Sequence, residues 1–521
     1  MIRVRQIEVS INNNSIEELK NKTAKKLRIS PSDIKNIIIK KESIDARHKD
    51  NIKYIYEVDV DTDKSVRFDN DIFESPDETY KYEITGSATL NEPIVIVGAG
   101  PAGLFAAYML TQNNYPVILI ERGEKVEDRV KTIEEFWKSN KLDLNSNIQF
   151  GEGGAGTFSD GKLNTLKKDK EFRQKKVFEI FKSCGAHEDI MYSNKPHIGT
   201  DILRRVIVNM RNKIIEFGGI IRYNTTLTDI NISNNKIESI IVNNNEEIKT
   251  SNLVLAIGNS ARDTVEMLLS KNITITPKPF AVGVRIQHPQ EMINKSQYGE
   301  YGKVLPPCSY KLTYQASNNR GVYTFCMCPG GYVVNASSED KRIAINGMSD
   351  YKRDSLNANS ALVVTVSSKD FGDKVTDAIE FTRKLESSAY IAGKGLIPIQ
   401  TYKGYKENKI YDLGSVKPIF KGNYNLANLN DILPSYVNDA LKEAIEYFGT
   451  KIKGYNMDDA ILAAVESRTS SPIRIDRNED MLSNIDGIYP IGEGSGYSGG
   501  ITTSAMDGLK LFEVIIKKYR G

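Results

Sequence analysis

The sequence predicts an α/β chain: a parallel-sheet domain carrying a β-meander, a β-rich second domain, and a small N-terminal α/β unit. Three observations predict it. Ile94-Val-Ile-Val97 is a short apolar strand followed by Gly98, Gly100 and Gly103, then by Leu104, Ala107 and Leu110 at helical spacing. A second strand–glycine–helix unit, Ile488-Tyr-Pro-Ile491 and then Gly499-Gly500-Ile-Thr-Thr503, stands near the other end of the chain. Between them, residues 271–440 turn to strands rich in Tyr, Val and Thr, broken by Gly and Pro turns.

The elements follow in order. Residues 1–85 read as a separate unit. Ile16, Leu19 and Leu27 mark one amphipathic helix, and Ile52, Tyr54, Tyr56, Val58 and Val60 alternate as a half-buried strand. The polar stretch Asp61–Glu78 reads as a linker, and the helix lysines (Lys20, Lys22, Lys25, Lys26) as a solvated face. Residues 86–270 form the first part of the parallel-sheet domain. Its second strand, Val117-Ile-Leu-Ile120, ends in Glu121-Arg122. Thr200-Asp201 is a candidate cap for a helix that Gly218-Gly219 ends. Residues 220–257 read as a β-meander, with turns at Asn234-Asn235 and Asn243–Asn245. Residues 271–440 are the β-rich domain, and 441–521 return to the first domain.

Composition narrows the function classes. The 521 residues are 40% hydrophobic and 26% charged, ordinary for a soluble protein with a large core. Seventy basic residues against 67 acidic ones leave a net charge of +3, so nothing global favours nucleic acid or an anionic membrane. The first residues lack the apolar core of a signal peptide, and no apolar run approaches the ~18 residues of a membrane span. Four cysteines make no disulfide framework. The expectation is a cytoplasmic protein acting on a small molecule; oligomeric state is left open.

The first glycine motif has mechanical reasons at each position. Gly98 allows the tight turn, Gly100 lets backbone approach a pyrophosphate, and Gly103 lets helix and strand pack closely. The helix N-terminus favours an anion, and Glu121 is placed to accept ribose hydroxyls. The fold is therefore Rossmann-like and the ligand a dinucleotide. The second unit points to FAD, since an extended FAD needs a second strand–glycine–helix contact and a simple NAD enzyme does not.

This pattern resembles the FAD domain of glutathione-reductase-like flavoproteins, including the Pro101-Ala102 filling of the motif. The resemblance implies that Gly492-Glu493 holds the ribityl chain, with Glu where most relatives have Asp. It implies that the helix from Gly500, Ile501 and Thr502 faces the flavin pyrimidine, that Leu227 meets adenine, and that Ala256-Ile257-Gly258 closes a cofactor-facing strand. Gly151–Thr165, with Gly156 and Thr157, would lie along the cofactor. A narrower match rests on Gly151–Lys162, Cys326-Met-Cys-Pro-Gly-Gly331, Glu466–Arg474 and Gly492–Ile501. These segments are similar to a bacterial family of FAD-dependent dehydrogenases of unknown substrate, and Cys326–Gly331 resembles a cavity loop of geranylgeranyl-reductase-like enzymes.

Candidate reacting residues are Lys162, His197, Cys328 and Arg468. Cys326 and Cys328, two apart on one strand face, are either a redox pair or pocket-wall thiols; without nearby partners they make a poor metal site. Arg468 and Arg474 suit an anion or ion pairs with Glu466 or Asp476. His197 is the histidine to test as acid or base. The predicted activity is hydride exchange between flavin N5 and a small substrate or NAD(P)H. The alternatives are saturation of an apolar or isoprenoid substrate, and a structural flavin with an RNA- or partner-binding N-terminal unit.

Overall fold

The structure is a computed structural model that describes residues 1–165 and 167–521. The N-terminal unit is an antiparallel sheet in the order Asn36–Asp45, Lys53–Asp61, Ile2–Ser10, Ile72–Glu74. Helix Ile16–Leu27 packs Leu19 and Leu27 against Val4, Ile7, Tyr56 and Val58, while Ile16 stays exposed. Part of the expected linker is a strand: Ile72–Glu74 pairs with Ile2–Val4 and covers that edge. The chain then runs along the next domain. Tyr80 donates to Glu513 at 3.0 Å, and a side chain at Gly86 would strike the Tyr519 backbone.

The central sheet is parallel throughout, in the order Ile488–Pro490, Leu253–Leu255, Ile94–Val97, Val117–Ile120, Ile220–Arg222. Its strands are continuous apolar runs because both faces are largely covered. Helices Pro101–Gln112 and Ile501–Lys518 lie in close contact, for a Cβ at Gly508 would fall 2.4 Å from the Ala102 carbonyl oxygen. Two local expectations change. Residues 220–222 form the edge of the parallel sheet, and the meander is Leu227–Ser233, Lys236–Val242 and Glu246–Lys249. Its turns are left-handed at Asn234, Asn235, Asn243 and Asn244, which asparagine tolerates. Thr200 is the first helical residue after Gly199 rather than the cap, and its hydroxyl donates to the Thr157 carbonyl at 2.6 Å.

The second domain is built on a seven-stranded sheet in the order Thr313–Gln315, Gly321–Cys328, Asn357–Val366, Phe280–Pro289, Ile461–Glu466, Ile397–Thr401, Tyr424–Leu426. Residues of helices Val375–Ala392 and Ser435–Gly449 share its apolar core. Strand Ile461–Glu466 pairs with Phe280–Pro289 and Ile397–Thr401, so the second domain extends past the expected boundary at 440. The chain's exit and return are joined by Ile275–Pro277 pairing with Ile473–Ile475. Among the described residues, no helix is long and apolar enough to cross a membrane.

Candidate cofactor and reaction site

The carboxyl ends of four parallel strands open on one cavity of about 360 Å³. Gly98 follows the first strand, Glu121 the second, Ala256–Gly258 the third and Gly492–Glu493 the fourth. Open α/β sheets bind ligands at such a crevice. Helices Pro101–Gln112 and Ile501–Lys518 both start at its wall, from Gly100 and Gly500, and neither has a side-chain cap. Their leading N–H groups are thus available to a ligand's anionic or acceptor atoms.

The glycines divide into two kinds. Gly98 has φ +104°, and a Cβ there would sit 2.4 Å from the Ala256 carbonyl oxygen. A Cβ at Gly103 would sit 2.0 Å from the Gly98 oxygen. These positions are required by the fold. At Gly258, Gly499 and Gly500 a Cβ would meet nothing within 4 Å. That space belongs to the cavity, a cradle that side chains would fill.

Glu121 is buried and accepts backbone N–H bonds from Ala99 (2.8 Å), Gly123 (2.9 Å) and Gly151 (2.8 Å). It ties two cavity loops to the strand end and retains one acceptor site. Arg122 stacks 4.5 Å over Phe150 and donates to Asp263. Arg129, unremarked in the sequence, is fully buried and gives its N–H groups to the carbonyls of Asn147, Ile148, Gly151, Glu152 and Gly154, at 2.7–3.2 Å. It holds the glycine-rich loop in place. Burial pushes Arg129 down to about 10, still charged at neutral pH. Burial pushes Glu493 up to about 7, partly offset by the 2.8 Å hydrogen bond from Asn259 and by Lys278.

Of the remaining expected cofactor contacts, Pro101, Ala102, Gly156, Leu227, Gly492 and Ile501 line the cavity. Thr157 and Thr502 do not. Both are buried, and Thr502 donates to the Leu163 carbonyl at 2.8 Å, which holds the loop to the helix.

The second domain supplies the other wall: Phe325, Cys326, Asn346, Glu466 and Arg468 meet Lys162 from the first domain. Lys162 donates to the Met327 carbonyl and pairs with buried Asp160 at 2.8 Å; Asp160 also holds Arg353. Burial lowers the Lys162 pKa, but Asp160 more than restores it, so Lys162 acts as a cation. Fully buried Arg285 pairs with Glu466 at 2.8 Å and reaches Asn359 at 2.7 Å and the Cys326 carbonyl at 3.2 Å.

Of the expected reacting residues, His197 and Cys328 lie off the cavity and Arg468 is held by partners. Arg468 lines the cavity, but its guanidinium is held bidentate by Glu386 at 2.9 and 3.0 Å and by Ser260 and Ser338. Its partner is neither Glu466 nor Asp476, because Glu466 belongs to Arg285. His197 lies behind the cavity wall, bonded to the Tyr351 carbonyl at 3.0 Å and stacked on that ring. Cys328 is fully buried, while Cys326 reaches the cavity. Arg129, Arg285, Asn346 and Asp160 with Arg353 form contacts between distant segments, and no local motif signals them.

Three family models match the chain. Residues 92–267 match a pyridine nucleotide-disulphide oxidoreductase model, residues 279–469 an FAD-dependent protein C-terminal-domain-like model, and residues 1–61 a domain of unknown function. An uncharacterized protein of Clostridium beijerinckii is 45% identical over 532 residues, covering 99% of both chains. The chain belongs to the FAD-dependent oxidoreductase superfamily. The match to the C. beijerinckii relative extends over the N-terminal unit as well. Among solved structures, L-proline dehydrogenase from P. horikoshii is 14% identical, covers 82% of this chain and 93% of its own, and has a TM-score of 0.34. Glycine oxidase from Bacillus cereus is 10% identical, covers 81% and 94%, and has a TM-score of 0.31. Likenesses that distant bear on neither substrate nor reaction.

The residues present fit FAD. Two uncapped helix N-termini, a buried acidic acceptor and three glycines facing empty space line one continuous cavity.

Proposed function

We propose that this FAD-dependent oxidoreductase transfers a hydride between flavin N5 and a small polar substrate, with NAD(P)H as a transient partner from the same side. The observation that carries the reading is the convergence of two uncapped helix N-termini and the Gly258–Gly499–Gly500 cradle on one cavity. FAD, when bound, supplies two-electron chemistry. Gly98–Gly103 would hold the pyrophosphate, Glu121 the ribose, and Glu493 a ribityl hydroxyl. The N-terminus of Ile501–Lys518 would stabilise negative charge on the flavin pyrimidine.

The side chains that the second domain and Lys162 bring to the cavity favour a polar substrate over an isoprenoid one. Lys162, Asn346, Cys326 and Glu466 stand there, with Phe325 the apolar exception. Lys162 remains protonated and would orient an anionic or carbonyl group. The test is anaerobic mixing of reconstituted protein with NADH, NADPH and panels of small polar and isoprenoid substrates. Bleaching of the oxidised flavin by a nicotinamide or polar reductant is expected; a flavin that no such reductant bleaches overturns the proposal.

A further inference from the structure

We propose that Cys326 and Cys328 form a dithiol–disulfide couple that reacts with a small disulfide admitted to the cavity, Cys326 attacking and Cys328 resolving. The local backbone makes the pair. On strand Gly321–Cys328, Phe325 stands opposite Ala361 and Cys328 opposite Asn359, so one extra residue is bulged into the strand. Plain alternation would put both cysteines on the face away from Phe325. The bulge puts Cys326 in the left-handed region at φ +42° at the cavity wall and leaves Cys328 fully buried behind it. Such backbone is strained and concentrates at functional sites. Met327 packs into the core of the second domain.

The spacing suits a bond. Residues two apart in a regular strand are about 6.6 Å apart, near the upper end of the Cα spacing that a disulfide spans. The bulge bends this strand, and the Cys328 thiol lies 3.3 Å from the Cys326 carbonyl oxygen, to which it donates. Both cysteines are free thiols.

The surroundings favour a thiolate at Cys326. Lys162 binds the Met327 carbonyl between the two cysteines, and Arg285 binds the Cys326 carbonyl. Asp160, Glu466 and Glu493 oppose them. Asp160 is already paired with Lys162 and Arg353, and Glu466 with Arg285, while Glu493 keeps its proton up to about 7. Lys162 and Arg285 are thus the cations nearest the thiol, each already partnered by a carboxylate. The neighbouring Cys328 side chain, with the Lys162 and Arg285 charges, outweighs burial and holds the Cys326 thiol well below its ordinary range. Burial pushes Cys184 up, and Cys308 up to about 12; neither lines the cavity.

The chemistry balances without a further reagent. The Cys326 thiolate attacks one sulfur of the small disulfide; that S–S bond breaks and one thiolate leaves. The leaving thiolate takes the Cys328 proton, and the Cys328 thiolate then attacks the Cys326 sulfur and releases the second thiolate, which takes a proton from water. The small disulfide is reduced by two electrons to two thiols, and the protein gains one disulfide. The couple is independent of the flavin reading, and the same result is expected from flavin-free and FAD-loaded protein.

The test treats reduced full-length protein with oxidised glutathione at neutral pH and maps the cysteines by mass spectrometry. The wild type should end with Cys326 linked to Cys328 and no retained glutathione. Cys328→Ser should stop with glutathione on Cys326, and Cys326→Ser should take up no more than Cys184 and Cys308 do. Cys326 should also be alkylated about 100-fold faster than Cys308 near pH 6. Glutathione persisting on wild-type Cys326, equal reactivity of Cys326→Ser and wild type, or alkylation of Cys326 no faster than Cys308 overturns the proposal. Where a serine variant fails to fold, the wild-type map and alkylation rates decide alone.

Discussion

The two ends of the cavity are made of different material. Where the parallel strands end the chain offers backbone: Gly98, Gly100, Gly258 and the N–H groups that open two helices. At the opposite wall it offers side chains, Lys162, Asn346, Cys326, Glu466 and Arg468, carried by separate segments. A backbone site needs tight turns and empty space, whereas a side-chain site needs every charge partnered. The first tolerates no bulk; the second tolerates no missing partner.

The sharpest way to break this comparison is to remove one partner at the side-chain wall. Arg285→Met leaves Glu466 buried with no counter-charge and takes donors from Asn359, Asn346 and the Cys326 carbonyl. Breaking a buried pair from one side costs about 3–5 kcal/mol. Chemical denaturation should show that loss. The double variant Arg285→Met, Glu466→Leu should recover much of it, since the unpaired charge is gone. A single variant as stable as wild type would mean that this wall does not rest on charge pairing.

A smaller effect separates the ends by pH. Glu493 is raised from 4.5 to about 7 by burial. Below pH 4.5 both folded and unfolded chains hold this proton. Between 4.5 and 7 only the folded chain does, so stability falls as pH rises and levels off above 7. The full loss is at most about 3 kcal/mol. Melting temperatures of flavin-free Glu493→Gln should lack this decline, while the wild type shows it. Parallel curves for the two proteins would remove Glu493 as its source.

The same division explains what the sequence disclosed. Gly98–Gly103, Glu121 and Gly499–Gly500 were legible because backbone geometry imposes fixed spacings on neighbouring residues. The meander turns were legible because asparagine accepts the left-handed region. The far wall was not. Arg285 with Glu466, Arg468 with Glu386, and Asp160 with Arg353 join segments more than 80 residues apart, and such pairing leaves no local pattern. The cysteines show the limit within a single strand. Alternation places both on one face away from Phe325, and one bulged residue sets Cys326 at the cavity and Cys328 behind it. The boundary at 440 failed for a related reason: Ile461–Glu466 is apolar enough for either sheet, and only its pairing assigns it.

The smallest expected effect on the fold is the most specific test of the backbone end. Gly500 has φ 172°, extended backbone that any residue adopts, and a Cβ there meets nothing within 4 Å. Gly500→Ala should therefore leave the melting temperature of flavin-free protein unchanged. Gly98→Ala is the counterpart: its φ of +104° and the Ala256 oxygen 2.4 Å away destabilise the fold itself. If the empty space at Gly500 belongs to FAD, the added methyl weakens flavin binding by about tenfold, a penalty of about 1.4 kcal/mol. Flavin fluorescence titration measures it. Unchanged affinity at Gly500→Ala would place the flavin away from the Ile501–Lys518 N-terminus; lost stability would mean that Gly500 serves the fold, as Gly98 does.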